Sequence, residues 1–121
     1  MDPYIYKIES VNKVVDGDTV DLTLDLGFSI KIKHRFRLVN YDAPETWRPK
    51  TDSERKHGEE CTDYVIKLIE GKTVTLTSVK TAVYGRWEAY LTLEDNSDVG
   101  TLIVENGFEK LDNYEDIDDT I

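Results

Sequence analysis

Four short stretches of the chain hold side chains able to act on a charged substrate: Asp16-Gly17-Asp18-Thr19, Arg37, Tyr41-Asp42-Ala43-Pro44-Glu45-Thr46 and Tyr84-Gly85-Arg86. Each has an ordinary reading when taken alone. Asp and Gly suit a tight reversal, the Pro44 stretch is a turn with acidic flanks, and a surface arginine aids solubility. Together they describe a chemistry. Hard divalent cations take oxygen ligands from carboxylates and loop carbonyls, which Asp18, Asp42 and Glu45 offer on two loops. Arg37 and Arg86 add planar guanidinium groups that match a phosphate in pairs of hydrogen bonds. Carboxylates, a metal and guanidinium groups are the parts needed to activate a water and stabilise a pentacovalent phosphate.

The elements that must position these residues follow from periodicity. Val20, Leu22, Leu24 and Leu26 alternate with polar residues, and so do Phe28, Ile30, Ile32, His34, Phe36 and Leu38. Period two with one apolar face predicts two half-buried strands with a turn at Gly27. Both apolar sets fall on even numbers, so the connection needs an odd length or a bulge near Gly27. Tyr4 to Val15 reads as a less regular first strand. After the loop from Asn40 to Thr51, Asp52 or Ser53 is the expected N-cap of a helix, with Glu54 in its first turn. Cys61, Tyr64, Val65, Leu68 and Ile69 keep helical spacing up to Gly71. Val74 to Lys80 and Arg86 to Leu93 are two further strands, and a short helix covers about 98–105. Five short strands with a helix between the third and fourth suit a Greek-key barrel of the OB type, and an α+β sandwich fits nearly as well.

Composition narrows the class. The 121 residues are 39% hydrophobic and 33% charged, a globular mixture without the run of roughly 18 apolar residues that a membrane-spanning helix needs. No leader-like start is visible, and Cys61 alone forms no internal disulfide. A cytoplasmic, monomeric protein without membrane partners is expected, from a bacterial or phage-infected cell. The net charge of −10 argues against a polyanion partner. Its distribution argues otherwise: residues 29–57 hold 8 basic and 4 acidic side chains, while residues 58–121 hold 5 and 15. Lys31, Lys33, Arg35 and Arg37 share one parity of the third strand, a candidate approach surface for a polyanion. His34 and His57 have no metal-ligand spacing and are expected to be structural or exposed.

The motifs Val15-Asp16-Gly17-Asp18-Thr19-Val20, Arg37-Leu38-Val39 with Asp42-Ala43-Pro44-Glu45-Thr46, Tyr84-Gly85-Arg86 and Val104-Glu105-Asn106-Gly107-Phe108 stand in order and in register. Over about residues 11–111 the chain resembles the staphylococcal nuclease (thermonuclease) family. The resemblance implies a mainly β (α+β) fold, a five-stranded OB-type Greek-key barrel with a helix between strands 3 and 4 and a short helix after strand 5. Residues 1–111 would form this domain and residues 112–121 an acidic C-terminal tail. It implies a calcium-dependent phosphodiesterase acting on DNA and RNA, cleaving the P–O5′ bond and leaving 3′-phosphates. Asp18, Asp42 and the carbonyl of Ala43 would bind one Ca²⁺, and Glu45 would hold and deprotonate the attacking water. Arg37 and Arg86 would clamp the phosphate. Tyr84 would contact a neighbouring phosphate, with Lys31, Lys33 and Arg35 as the approach surface.

The chain departs from the family pattern at several points. Ala43 stands where Thr is frequent, and Val83 where a phosphate-contacting Lys is common. Asn113 falls near a nucleotide-facing Tyr, with Tyr114 as its stand-in. The long C-terminal helix of the staphylococcal enzyme is not in this sequence. A non-catalytic OB module is the alternative, binding single-stranded nucleic acid through Trp47 and Trp87, or a protein partner through its acidic surface.

Overall fold

β1 (Ile5–Asp16) is twelve residues long but pairs with only seven in β2 (Thr19–Asp25). The excess is absorbed by three register shifts, at Ile8/Ser10, Val11/Lys13 and Val14/Asp16. Each adds a residue, so the inward-leaning Ile8, Val11 and Val14 recur every three positions, which is why the strand looks irregular in sequence. Bulges also bend a strand. β1 thereby reaches β2 with most of its length and β4 (Val74–Val79) with its first residues, Ile5–Lys7.

The computed structural model describes residues 4–46, 49–80, 85–112 and 114. β2 pairs with β3 (Lys31–Leu38) in unbroken register from Thr19↔Arg37 to Asp25↔Lys31. The connection, 26–30, is five residues long, the odd length that the parity requires. Gly27, Phe28 and Ser29 all have positive φ (82°, 55° and 61°), and the turn is closed by Ile30 N–H to Gly27 C=O at 2.9 Å. Phe28 and Ile30 therefore belong to the loop and not to the third strand. Phe28 stands 98% exposed at the tip.

β4 pairs antiparallel with β5 (Glu88–Leu93), and β5 meets β3 in parallel at two positions, Arg37↔Glu88 and Leu38↔Ala89. The sheet thus closes in the order β1-β2-β3-β5-β4. This is the expected five-stranded barrel, and closure removes the alternative of an α+β sandwich, whose sheet would be open.

Helix α1 (Asp52–Ile69) lies between β3 and β4 in sequence and directs Cys61, Val65 and Ile69 into the core with Leu22, Leu38 and Leu91. Its N-cap is Thr51, ahead of both expected positions, Asp52 and Ser53, and its side chain accepts the Glu54 N–H at 3.1 Å. The Glu54 carboxylate reaches back to the Lys50 N–H at 3.0 Å, a reciprocal arrangement akin to a capping box. Glu54 is also 2% exposed and ion-paired to Lys110 at 3.4 Å. The short α2 (Val99–Glu105) is capped by Asp98 and adds Val99 and Ile103 to the core. No described helix is long and apolar enough to cross a membrane.

Candidate active site

The β1–β2 hairpin turns at Gly17-Asp18, with Asp16 paired to Thr19. Gly17 is needed here for space, since it lacks positive φ: a Cβ on it would lie 2.2 Å from Cys61 Sγ and 3.1 Å from the Ala43 methyl. The hairpin is thus pressed between α1 and the loop after β3. That loop is held in turn by Tyr41, 6% exposed, whose hydroxyl donates to the Gly17 carbonyl at 2.5 Å. Burial and the nearby Asp18 carboxylate push the Tyr41 phenol above its ordinary value, so it stays a proton donor. Gly58 of α1 lets the loop approach closely, because a Cβ would meet the Pro44 carbonyl at 2.7 Å.

Packed in this way, the two loops place their carboxylates around one guanidinium. Asp18 Oδ2 accepts the Ala43 N–H at 2.9 Å and lies 3.4 Å from Arg37 Nη1; its Oδ1 accepts from Thr19 Oγ1 at 3.0 Å. Arg37 Nη2 donates to Asp42 Oδ1 at 2.7 Å, and Nη1 donates to the carbonyls of Leu38 and Tyr41. Every one of these bonds involves a charged group, the stronger class. Asp18 is largely shielded (14% side-chain exposure) and Asp42 is open to solvent (76%).

Around this group runs a cleft of about 500 Å³ lined by Asp16, Asp18, Arg37, Asp42, Ala43, Glu45 and Lys110 among others. Arg86 lines an adjoining recess of about 390 Å³ that shares Arg37 and Asp42 with the cleft, and it is ion-paired to Glu88 at 3.1 Å. The structure therefore brings Asp18, Arg37, Asp42, Ala43 and Glu45 together, with Arg86 next door. Tyr84 lies outside the described residues, as do Trp47, Val83, Asn113 and residues 115–121 of the tail.

The basic parity of β3 is partly neutralised. Lys31 pairs with Glu9, and Arg35 makes a two-point contact with Asp21 at 2.8 and 3.1 Å. The hydrogen bond from Arg35 holds the Asp21 carboxyl below its usual range. Lys33 makes no ion pair with the described residues. Tyr114 departs from its expected role as a nucleotide-facing ring: it is 7% exposed, and its hydroxyl accepts the Leu111 N–H at 2.9 Å. Its other partner is His57 Nδ1 at 2.6 Å. The Gly107 carbonyl, 2.8 Å from Nε2, can only accept, so Nε2 donates to it. His57 is structural, as expected. His34 stacks on Trp87.

Two lining residues carry no role assigned from the sequence. Asp16 accepts from Thr46 Oγ1 at 2.5 Å, and the Lys110 N–H donates to the Asp42 carbonyl at 2.8 Å. Proximity of Asp16 to Asp18 was a usable signal; nothing local marks Lys110, which arrives from beyond α2.

The model of the staphylococcal nuclease homologue family matches residues 35–120. The chain belongs to this family. As a staphylococcal nuclease homologue it is 34% identical over 105 residues to Endonuclease YhcR of Bacillus subtilis, covering 81% of this chain and 8% of that protein. It is likewise 34% identical over 97 residues to an uncharacterized endonuclease of Escherichia coli O157:H7, covering 80% of this chain and 56% of the relative. The chain thus spans a small part of the first relative and about half of the second. Within this homologue the matched span holds Arg37, Asp42, Ala43, Glu45 and Arg86, while Asp18 comes from the hairpin that precedes it.

The cleft's donor set fits the divalent cation that the family implies. Its carboxylates are hard oxygen donors, the class such ions prefer. Among the described residues no three His, Cys, Asp or Glu converge as a self-sufficient metal group.

Proposed function

We propose that the chain hydrolyses phosphodiester bonds of DNA or RNA at the Arg37 cleft. The observation that carries this reading is the single guanidinium of Arg37 joined to both Asp18 and Asp42, with Glu45 on the same wall. Asp18, Asp42 and the Ala43 carbonyl would hold one Ca²⁺, which supplies positive charge beside the phosphate when bound. Glu45, exposed at the cleft, hydrogen-bonds the attacking water and accepts its proton. The Arg37 guanidinium has a fixed direction through its carbonyl and carboxylate bonds, so it meets developing phosphorane charge without reorganising.

Arg86 takes the same phosphate from the adjoining recess, exchanging Glu88 for it. That ion pair is partly exposed and is worth little, about 0–1 kcal/mol, so the exchange is inexpensive. Tyr84, Lys31, Lys33 and Arg35 belong to the proposed path of the strand, the last with its surface pair to Asp21 released. Cleavage at P–O5′, leaving 3′-phosphates, and a cytoplasmic monomer are parts of the same proposal.

The test is hydrolysis of single-stranded DNA in millimolar Ca²⁺ beside EDTA and Glu45→Gln. Loss of the proton acceptor is expected to slow cleavage by at least ~10²-fold. Because Glu45 is exposed, the melting curve should stay unchanged. Undiminished cleavage by Glu45→Gln would remove its assigned role. A folded protein inactive with every divalent metal would be a binding barrel.

A further inference from the structure

Residues 42–45 belong to no helix or strand, so no ladder holds this part of the loop after β3. One peptide unit in it is nonetheless gripped from both edges. The Ala43 N–H donates to Asp18 Oδ2 at 2.9 Å, and the Asp42 carbonyl of the same unit accepts the Lys110 N–H at 2.8 Å. A peptide unit is planar, so two bonds on opposite edges fix its orientation. The Asp42 side chain and the Ala43 carbonyl leave from its two ends. These are two of the oxygen donors assigned above to the metal, and the third, Asp18, makes one of the gripping bonds.

Lys110 comes from beyond α2, and its segment is fastened in turn to α1. Lys110 Nζ lies 3.4 Å from Glu54 Oε2, part of a carboxylate 2% exposed whose other oxygen accepts the Lys50 N–H. His57 Nε2 donates to the Gly107 carbonyl, and the Tyr114 hydroxyl beside Nδ1 accepts the Leu111 N–H. The Phe108 ring stacks on Tyr64 with centres 4.6 Å apart. Glu54, His57 and Tyr64 share one face of α1 by their spacing. That face therefore carries the segment after α2, and the segment carries the Asp42–Ala43 peptide.

We propose that Lys110 is a positioning residue: anchored on Glu54, it holds the Asp42–Ala43 peptide so that Asp42 and Ala43 present their oxygens to the metal together. The inference rests on the phosphodiesterase reading for the metal and adds the support behind its ligands. Such outer partners govern metal affinity nearly as strongly as the ligands themselves, at about 10–100-fold. Lys110 also lines the cleft, which gives its removal an opposite electrostatic sign. Losing a cation from the wall would by itself tighten binding of Ca²⁺, whereas losing the anchor weakens it.

The experiment is calorimetric titration of Ca²⁺ into the substrate-free full chain, with amide exchange of the Ca²⁺-free protein measured beside it. Lys110→Met should weaken Ca²⁺ binding by about tenfold or more, against the electrostatic trend, and Lys110→Arg should restore most of it. The Ala43 amide should exchange faster in Lys110→Met relative to the amides of β2, which report on the barrel as a whole. Lys110→Met with Glu54→Gln buries no unpaired charge and serves as the folded comparison if the single variant melts early. Its Ca²⁺ affinity should stay low although its stability recovers. Ca²⁺ bound by Lys110→Met as tightly as by wild type or tighter, affinity that returns with stability in the double variant, or unchanged Ala43 exchange would each overturn the positioning role. Failure of the phosphodiesterase reading is distinguishable: the wild type then cleaves nothing with any divalent metal, while Ala43 exchange still responds to Lys110.

Discussion

Gly17→Ala tests whether space, and not backbone conformation, dictates the glycine that precedes Asp18. Gly17 lies outside the left-handed region, so its backbone accepts alanine. With nothing nearby, the substitution would stabilise the fold by about 0.4–1 kcal/mol by restricting the unfolded chain. The neighbours reverse the sign. A Cβ at 2.2 Å from Cys61 Sγ forces the hairpin off α1, an overpacking cost of about 1–3 kcal/mol. The net expectation is a loss of about 1–2 kcal/mol, or roughly 4–8 °C in Tm for a domain of this size. Cys61→Ala removes the sulfur and leaves 3.1 Å to the Ala43 methyl and 3.3 Å to the residue 61 Cβ as the nearest approaches, tight but tolerable. In that background Gly17→Ala should cost little, giving a coupling of about 1–2 kcal/mol between the sites. Urea unfolding of the four proteins measures this, with cleavage of single-stranded DNA followed in parallel. Activity should fall in Gly17→Ala and recover in the double variant, because a displaced hairpin carries Asp18 away from the Ala43 N–H. A Gly17→Ala protein as stable as wild type, or equally destabilised in both backgrounds, refutes the packing argument.

Other perturbations probe neighbouring parts of the site. Arg37→Gln leaves the Asp18 and Asp42 carboxylates without their shared cation, and cleavage should fall at least ~10²-fold in a rate assay. Lys110→Met strands the buried Glu54 carboxylate and should cost about 1–3 kcal/mol by urea unfolding; Glu54→Gln in that background should recover part of it. Burial pushes the Cys61 thiol up to about 12 from 9.0 and raises the Tyr41 phenol as well. Both groups release protons in the unfolded chain before they do so in the folded one. Their contribution is therefore complete below about pH 9 and lost as pH rises, at up to about 1.4 kcal/mol per pH unit per group. Urea midpoints from about pH 8 to about pH 10.5 should decline, less steeply in Cys61→Ala.

Much of this was legible in the residues. Alternation through Val20–Leu24 and Ile32–Leu38 located β2 and β3, and their shared parity required the odd connection observed at 26–30. Phe28 and Ile30 continued the alternation on paper, but three successive positive φ values take the chain out of the strand. β1 hid its pattern because its bulges convert period two into period three. At the site, residue types pointed to phosphate chemistry, whereas the partners of Arg37 depend on barrel closure, which brings together residues remote in sequence. Local reading likewise assigned Glu54 to the helix dipole alone, since its ion pair comes from Lys110 on the far side of α2. Lys31 and Arg35 looked like free cations until strand pairing set Glu9 and Asp21 beside them.

The two-residue parallel seam between β3 and β5 has a consequence for how the protein acquires its site. The β1–β2–β3 meander and the β4–β5 hairpin are built from near neighbours in sequence, whereas Ile5↔Thr77 and Arg37↔Glu88 close loops of about seventy and about fifty residues. The β3–β5 seam, with two residue pairs against three in β1–β4, has the fewest pairs to hold it and is expected to be the last to form. The amides of Arg37 and Val39, bonded to Trp87 and Ala89, should be among the last strand protons to gain protection in pulsed hydrogen exchange. Arg37 sits on the seam itself. A chain emerging during synthesis would thus hold its carboxylate loops without the guanidinium in its final place, and catalytic competence would arrive with the closing of the barrel.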